Sequence, residues 1–187
     1  MSLEKLRGQD EPLWTAMALL SVGSLEMAGG RFDDADRDLI ETRDLAERFD
    51  NDWLAGASRV RLGMVALARG RLDDARALFE DALHVSLATD NTYNVILCLA
   101  AFAQLALAEG DPERAALLAG AASGLRRRAG LHVFTSLTGE AQMVAEIRQA
   151  LEADRFDKAF GVGSRLGQQE AVAAVRDHRG VAVRKSQ

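Results

Sequence analysis

The chain has 187 residues, a formal net charge of −5 and 48% hydrophobic residues, which is typical of a globular protein with a substantial core. No stretch is basic enough to form a nucleic-acid interface, so direct nucleic-acid binding is not expected. The single cysteine, Cys98, excludes a disulfide within the chain, and the apolar run at 95–108 is too short to span a bilayer. The first residues also lack a signal-peptide pattern. These features predict a cytoplasmic protein without membrane contact.

One short motif recurs along the chain with a period of forty residues. It reads Gly-Arg-Phe-Asp-Asp-Ala at 30–35, Gly-Arg-Leu-Asp-Asp-Ala at 70–75 and Gly-Asp-Pro-Glu-Arg-Ala at 110–115, and a less regular copy lies at 154–159. Each copy separates two segments with helical periodicity. Such self-similarity is typical of a solenoid in which one helix pair is repeated.

In chain order, residues 1–12 are expected to be a flexible lead-in and 178–187 a tail, with a helical-repeat domain at 13–177 between them. The four helix pairs, numbered here as repeats one to four, and the final capping helix are placed at 14–50, 53–90, 92–129, 140–166 and 168–177. Within them the helices are predicted at about 14–28, 34–49, 53–69, 73–88, 92–109, 112–129, 140–153, 156–166 and 168–177. Residues 130–139 form the longest predicted break.

Several residues carry specific expectations for these helices. Gly30 should end the first helix, because glycine tolerates the left-handed conformation of a helix end. Asp33 and Asp111 are predicted N-caps, and Pro112 suits the first helical position. The small residues at 115–124 predict a close approach to another helix.

The second repeat resembles the tetratricopeptide pattern, in which glycine and alanine let the paired helices approach and an aromatic residue fills the space beside them. The matching positions are Leu62, Gly63, Gly70, Ala75, Phe79 and Ala82 in the second repeat, Val22, Gly23, Gly30, Ala35 and Leu39 in the first, and Phe102, Ala103, Gly110, Ala115 and Ala122 in the third. The usual aromatic before the turn is replaced by Glu26, Ala66 and Ala106, and the period exceeds the family's thirty-four residues. The resemblance implies an all-α fold, a tetratricopeptide-like right-handed superhelix of about four helix pairs with a C-terminal capping helix.

Residues 105–122, and 156–160 with 169–172, are similar to the repeat region of bacterial LuxR-type and MalT-like ATPase regulators. This resemblance implies a non-catalytic interaction or sensor module of a signalling or transcriptional regulator. Its partners would be a protein, a peptide or a small effector, and flanking ATPase and DNA-binding domains would belong to the same regulator. The chain would then be either a fragment of such a regulator or a free-standing relative.

The residues whose types could serve in catalysis or ligand binding are interpreted here as structural parts of the fold. The glycine-rich stretch 161–167 lacks the lysine of a phosphate loop and is interpreted as a helix end. The aspartates at 33, 34, 36 and 38 are interpreted as a helix N-terminus, and the cluster at 126–128 as a solvated helix end. His84, His132 and His178 are isolated, and Cys98 is interpreted as a core residue. We therefore predict no catalytic residue, no metal, no cofactor and no enzyme activity.

In a tetratricopeptide array the first helix of each repeat lines the concave face. The predicted concave-face residues are Met17, Leu20, Ser24, Met27, Val60, Met64, Leu67, Leu97, Gln104 and Leu107. These residues either form an adaptable, methionine-rich groove for a peptide, protein or effector, or pack against each other in a tightly wound array. Exposure of Met64 and Gln104 would distinguish the two. The alternative function is a regulatory domain that binds a small molecule in a closed pocket, and a homodimer through the apolar third repeat is also possible.

Overall fold

A computed structural model describes residues 3–131 and 140–176 of the chain, and this part is all-α. Its helices are α1 (Leu3–Ala28), α2 (Phe32–Arg48), α3 (Asp52–Ala68), α4 (Leu72–Ala88), α5 (Thr92–Ala108), α6 (Pro112–Arg128), α7 (Glu140–Ala150), α8 (Ala153–Gly163) and α9 (Gln168–Arg176). The predicted fold class and its repeated helix pairs are confirmed. The chain divides into two compact units, an N-terminal unit (Met1–Cys98) and a C-terminal unit (Leu99–Gln187).

Four predicted helix boundaries were wrong by more than two residues, namely the start of α1, the end of α7 and both ends of α8. Helix α1 begins at Leu3 and continues through Pro12, whereas the sequence suggested a start at Trp14. Leucine, glutamate, lysine and arginine in this segment favour helix, and they outweigh the proline. Helix α7 ends at Ala150 and α8 spans Ala153–Gly163, whereas the sequence suggested helices at 140–153 and 156–166. The motif copy at 154–159 was expected to form the connection between them, but it lies inside the first turns of α8.

The connections repeat every twenty residues, which is half the period seen in the sequence. Helices α2 to α6 are each 17 residues long. A residue with positive φ follows each helix from α1 to α6, at Gly30, Asp50, Gly70, Asp90, Gly110 and Gly130. At each of these turns the next backbone N–H bonds to the carbonyl five residues before it, as from Arg71 to Ala66 at 2.9 Å. At all six helix ends, this hydrogen bond satisfies a carbonyl group that would otherwise lack a partner within the helix.

The helix starts are capped at some positions and not at others. The side chains of Asn51 and Asp111 accept hydrogen bonds from the backbone N–H three residues later, each at 3.0 Å. The prediction of Asp33 as an N-cap was wrong, because Arg31 holds that position and makes no side-chain cap bond. Asp33 lies instead in the first turn of α2 and forms an ion pair with Arg69.

The N-terminal unit is held together by successive contacts of α1 with α2, α2 with α3 and α3 with α4. A Cβ built on Gly63 would lie only 2.6 Å from Cδ1 of the fully buried Phe79, and one on Gly23 would lie 2.9 Å from Cγ of Leu39. Both glycines therefore permit the close helix approach that the sequence pattern predicted.

In the C-terminal unit, α6 packs most extensively against α8, while α7 and α8 touch each other little. A Cβ on Gly120 would collide with the carbonyl of Phe160, and one on Gly124 with the carbonyl of Ser164. The small-residue segment of α6 thus makes a backbone-to-backbone contact, as predicted, and α8 is the helix that it contacts. The fourth pair consequently differs from the closely packed pairs of the N-terminal unit.

The interpretation of residues 126–128 as a solvated helix end was wrong for Arg126 and holds for the exposed Arg127 and Arg128. Arg126 is buried and forms an ion pair with Glu140. Arg128 is exposed, but it donates hydrogen bonds to the carbonyl of Ser164 at 3.0 Å and to that of Leu166. These two side chains anchor α7 and the end of α8 to α6.

Within residues 3–131 and 140–176, no helix is long and apolar enough to cross a bilayer. The predictions about the break at 132–139, His132, His178 and the tail 178–187 lie outside the described residues.

Candidate interaction surface

In the tetratricopeptide pattern the first helices of the repeats, namely α1, α3 and the start of α5, are expected to form one face of the N-terminal unit, here called the inner face. Of the predicted concave-face residues, Leu20 and Val60 are only 6% exposed and so belong to the core in this structure. Met17 is exposed, and the others are partly buried, namely Ser24, Met27, Met64, Leu67, Leu97, Gln104 and Leu107. The intermediate exposure of Met64 and Gln104 leaves both interpretations of the face open, and its role in binding stays a prediction.

Arg61 of α3 lies largely buried on this face. Its Nε donates to the hydroxyl of Ser24 on α1 at 2.7 Å, and its Nη1 donates to the carbonyl of Ala57 at 3.1 Å. Burial lowers the pKa of the Arg61 guanidinium, and the neighbouring phenol of Tyr93 opposes this shift. Among the described residues, no carboxylate lies within ion-pair distance of Arg61 and its Nη2 makes no hydrogen bond. Both partners of this cation are therefore neutral groups.

Two neighbouring arginines, Arg59 in the middle of α3 and Arg69 at its C-cap, show the usual arrangement. Arg59 donates to a carboxylate oxygen of Glu47 at 2.6 Å, and Arg69 forms ion pairs with Asp33 and Asp36. These pairs tie α3 to α2. Arg61 differs from both, because it has no acidic partner in the described part of the chain.

Aromatic side chains border the same face at the start of the helices. The rings of Trp53 and Tyr93 lie 6.4 Å apart at a tilt of 34°. The fully buried Asn94 fixes this arrangement, because its Nδ2 donates to the carbonyl of Trp53 at 3.0 Å. A Cβ on Gly56 would lie only 2.6 Å from that nitrogen, so a glycine is needed there for α5 to reach α3.

Sequence reasoning did not identify Arg61 or Tyr93 as site residues. The positions forty residues before and after Arg61 hold the small residues Ser21 and Ala101. An arginine at the equivalent position of the second repeat therefore breaks the repeat pattern, and this difference could have marked Arg61 as unusual. Its significance appears only when the structure shows that a cation here is buried without a carboxylate.

An open groove of about 370 Å³ lies elsewhere on the N-terminal unit, among α2, α3 and α4. It is lined by Asp36, Ile40, Arg43, Leu62, Ala66, Arg71, Asp74, Ala77 and Leu78. Because this groove is open and lies among α2 to α4, it is not the closed pocket proposed as the alternative, which stays a prediction.

Cys98 and the aspartates at the start of α2 take part in packing and ion pairs. Burial raises the pKa of the Cys98 thiol to about 12, although a hydrogen bond with Ser86 opposes the shift. Asp34 and Asp38 pair with Arg37 at 3.0 and 3.3 Å, so the acidic cluster of α2 is largely neutralised. Within residues 3–131 and 140–176, no three His, Cys, Asp or Glu side chains could together hold a metal ion. Helix α8 ends at Gly163, which confirms the interpretation of the glycine-rich stretch as a helix end.

Comparison with protein families matches residues 14–86 to the tetratricopeptide repeat. The comparison with curated proteins gave no match, and neither did the comparison with solved structures. The matched segment runs from α1 to the end of α4 and contains Gly23, Gly63 and the turns at Gly30 and Gly70. Residues 14–86 of this chain therefore form a tetratricopeptide-type helical repeat.

Proposed function

We propose that the N-terminal unit is a protein-interaction module that binds an acidic segment of a partner protein along its inner face. Tetratricopeptide repeats commonly bind protein or peptide partners, and a non-catalytic role fits this chain. The observation that carries the proposal is Arg61, a largely buried cation whose hydrogen bonds go to a hydroxyl and a backbone carbonyl.

A buried cation without an acidic partner is costly, because a neutral environment replaces its hydration incompletely. A carboxylate supplied by a ligand would offset that cost through a charge-assisted hydrogen bond to Nη2, the nitrogen that the described residues leave unused. We therefore infer that the partner contributes an aspartate, a glutamate or a free C-terminal carboxylate at this point.

The surroundings of Arg61 suit a peptide rather than a single ion. Met27 and Met64 offer flexible, polarizable side chains that can adapt to different apolar residues. Trp53 and Tyr93 offer amphipathic rings at the border of the face. An acidic residue flanked by apolar side chains would use all of these groups.

The resemblance to bacterial LuxR-type and MalT-like regulators extends this proposal to a biological setting. In that setting the bound partner would act as a signal, which the module would pass to ATPase and DNA-binding domains. Support for this setting comes from the residue patterns at 105–122, 156–160 and 169–172 alone. The binding experiment below does not depend on it.

The proposal can be tested with a random-peptide display library selected against the full chain. We expect selected peptides to be enriched in Asp, Glu or a free C-terminus and to bind Arg61→Met about 10- to 100-fold more weakly, since a hydrogen bond to a charged group contributes about 1.5–3 kcal/mol. Arg59→Met is the matched control. It removes the same charge from the same helix, but at a site already paired with Glu47.

Circular dichroism would establish that both variants are folded before binding is compared. Selected peptides without acidic enrichment would contradict the proposal. Equal loss of binding in Arg59→Met and Arg61→Met would also contradict it, because the effect would then reflect net charge rather than the buried guanidinium.

A further inference from the structure

The side of α1 that faces away from the core is apolar and exposed. Trp14 is 66% exposed and Leu25 70% exposed, and Met17 and Val22 are exposed to a smaller extent. Trp14, Ala18, Ser21 and Leu25 follow each other at intervals of four, three and four residues, so they form one stripe along the helix. The opposite side of α1 holds the buried Ala16 and Leu20.

This stripe carries no charge. Between residues 13 and 28 the only ionisable side chain is Glu26, and it is buried away from the stripe. By contrast, the exposed side of α2 carries Arg37, Glu41 and Asp44. Since a contiguous exposed apolar patch on a folded domain normally marks a contact surface, the stripe indicates that another surface covers it.

We propose that a second copy of this chain covers the stripe, with the two α1 helices packed antiparallel around a two-fold axis. The axis would pass between residues 19 and 20. Trp14 of each chain would then face Leu25 of the other, Met17 would face Val22, and Ala18 would face Ser21. A two-fold interface requires this kind of reciprocal pairing.

The order of side-chain sizes supports a second copy over an unrelated partner. Around the midpoint the stripe reads large, medium, small, small, medium, large, from Trp14 to Leu25. The small residues at the centre let the helix axes approach, and the large residues at each end pack across the crossing. The same stripe is thus complementary to itself.

Charge and area agree with this assignment. Two copies of a chain with net charge −5 repel each other in general, and an uncharged stripe is where that repulsion is least. The exposed parts of the four large side chains amount to roughly 400 Å² per chain. That is about half of the ~800 Å² that each partner contributes to a standard interface, and the neighbouring exposed backbone and small side chains would add to it. A weak dimer whose population depends on protein concentration is expected from an interface of this size.

The dimer would leave the inner face of the N-terminal unit accessible. Ser24, which binds Arg61, lies outside the stripe on α1. Self-association and peptide binding are therefore separable, and failure of one proposal would not imply failure of the other. The predicted dimer contact through the third repeat is a different surface, and most apolar side chains of its helix α5 are buried in the chain.

Analytical ultracentrifugation of the full chain from low micromolar to several hundred micromolar would test the dimer. We expect the wild type to dimerise and Leu25→Glu to remain monomeric, because each copy would place a carboxylate against the apolar stripe of the other. Ile40→Glu is the matched control, since Ile40 is also an exposed apolar residue but lies on α2. It should dimerise like the wild type, and circular dichroism should show all three proteins equally helical.

Disulfide trapping would test the antiparallel arrangement. Ala18→Cys and Ser21→Cys would be made separately in a Cys98→Ser background, mixed and oxidised. We expect the mixed disulfide to dominate over either homodisulfide. A wild type that stays monomeric throughout, a Leu25→Glu variant that still dimerises, or a dominant Ala18→Cys homodisulfide would each overturn the proposal.

Discussion

Substituting alanine for Gly63 would test whether the repeated glycine sets the distance between paired helices. The added Cβ would lie 2.6 Å from Cδ1 of Phe79 and nearer still to Cε1. Real Cβ contacts are not this short, so either the ring or the helix must shift. Phe79 is fully buried and cannot swing into solvent.

Two opposing effects decide the size of the change in stability. Alanine is favoured over glycine within a helix by about 1 kcal/mol. Overpacking a rigid core costs about 1–3 kcal/mol. Because the clash involves a closed aromatic ring, we expect the larger end of that range and a net loss of about 1–2 kcal/mol in the free energy of unfolding. At Gly161 of α8 a Cβ would meet nothing within 4 Å, so Gly161→Ala should stabilise the protein by about 0.5–1 kcal/mol.

Urea denaturation is a suitable assay, because both tryptophans lie in the N-terminal unit and their fluorescence reports on its unfolding. Far-ultraviolet circular dichroism would follow both units and the Gly161→Ala control. Adding Phe79→Leu, which copies the leucine found at position 39, should reduce the cost of Gly63→Ala in a double-mutant cycle. A Gly63→Ala variant as stable as the wild type would refute the close-contact argument.

Two further predictions concern the turns and the cysteine. Asp50→Gly and Asp90→Gly should each raise stability by up to about 1 kcal/mol, since glycine accepts the positive φ values of 50° and 51° more readily than aspartate; a lower thermal midpoint for both would contradict this. Asp52→Gly, in the first turn of α3, is a control that should lower the midpoint. Cys98, with its pKa raised to about 12, should have about one thiolate in ten thousand at pH 8 and react with iodoacetamide only when the N-terminal unit opens. Rapid labelling under native conditions, unchanged by urea, would show the thiol to be accessible instead.

The helices of the N-terminal unit could be predicted to within two residues except at the start of α1, because several independent signals coincide at each boundary. At Gly30 and Gly70 a helical pattern stops, a glycine permits positive φ, and a new pattern begins with acidic residues. The turns at Asp50 and Asp90 were harder to interpret, since aspartate serves equally as a cap and as a left-handed residue. The sequence therefore revealed a forty-residue period where the backbone has a twenty-residue one.

The C-terminal unit was less predictable because its contacts depend on distant segments. The small residues of α6 indicated a close helix contact, but nothing in the local pattern specified α8 as the partner. The burial of Arg126 likewise depends on Glu140, which is distant in sequence and reaches α6 only through folding. Charge patterns within one helix cannot reveal such pairs.

In the sequence, the candidate site is marked mainly by Arg61, which differs from the residues at the equivalent positions of the neighbouring repeats. This difference leads to a prediction about stability. Ser21 and Ala101, at the positions equivalent to Arg61, are small and need no partner, so the repeat itself does not require a cation there. Replacing a buried charge by an apolar side chain of similar volume is often neutral or stabilising. Arg61→Met should therefore unfold at the same urea concentration as the wild type or a higher one, while losing affinity for acidic peptides. If Arg61→Met instead lowered the free energy of unfolding by about 2 kcal/mol or more, the hydrogen bonds of Arg61 to Ser24 and Ala57 would be its main contribution to the protein. The main argument that the inner face binds a carboxylate would then be refuted.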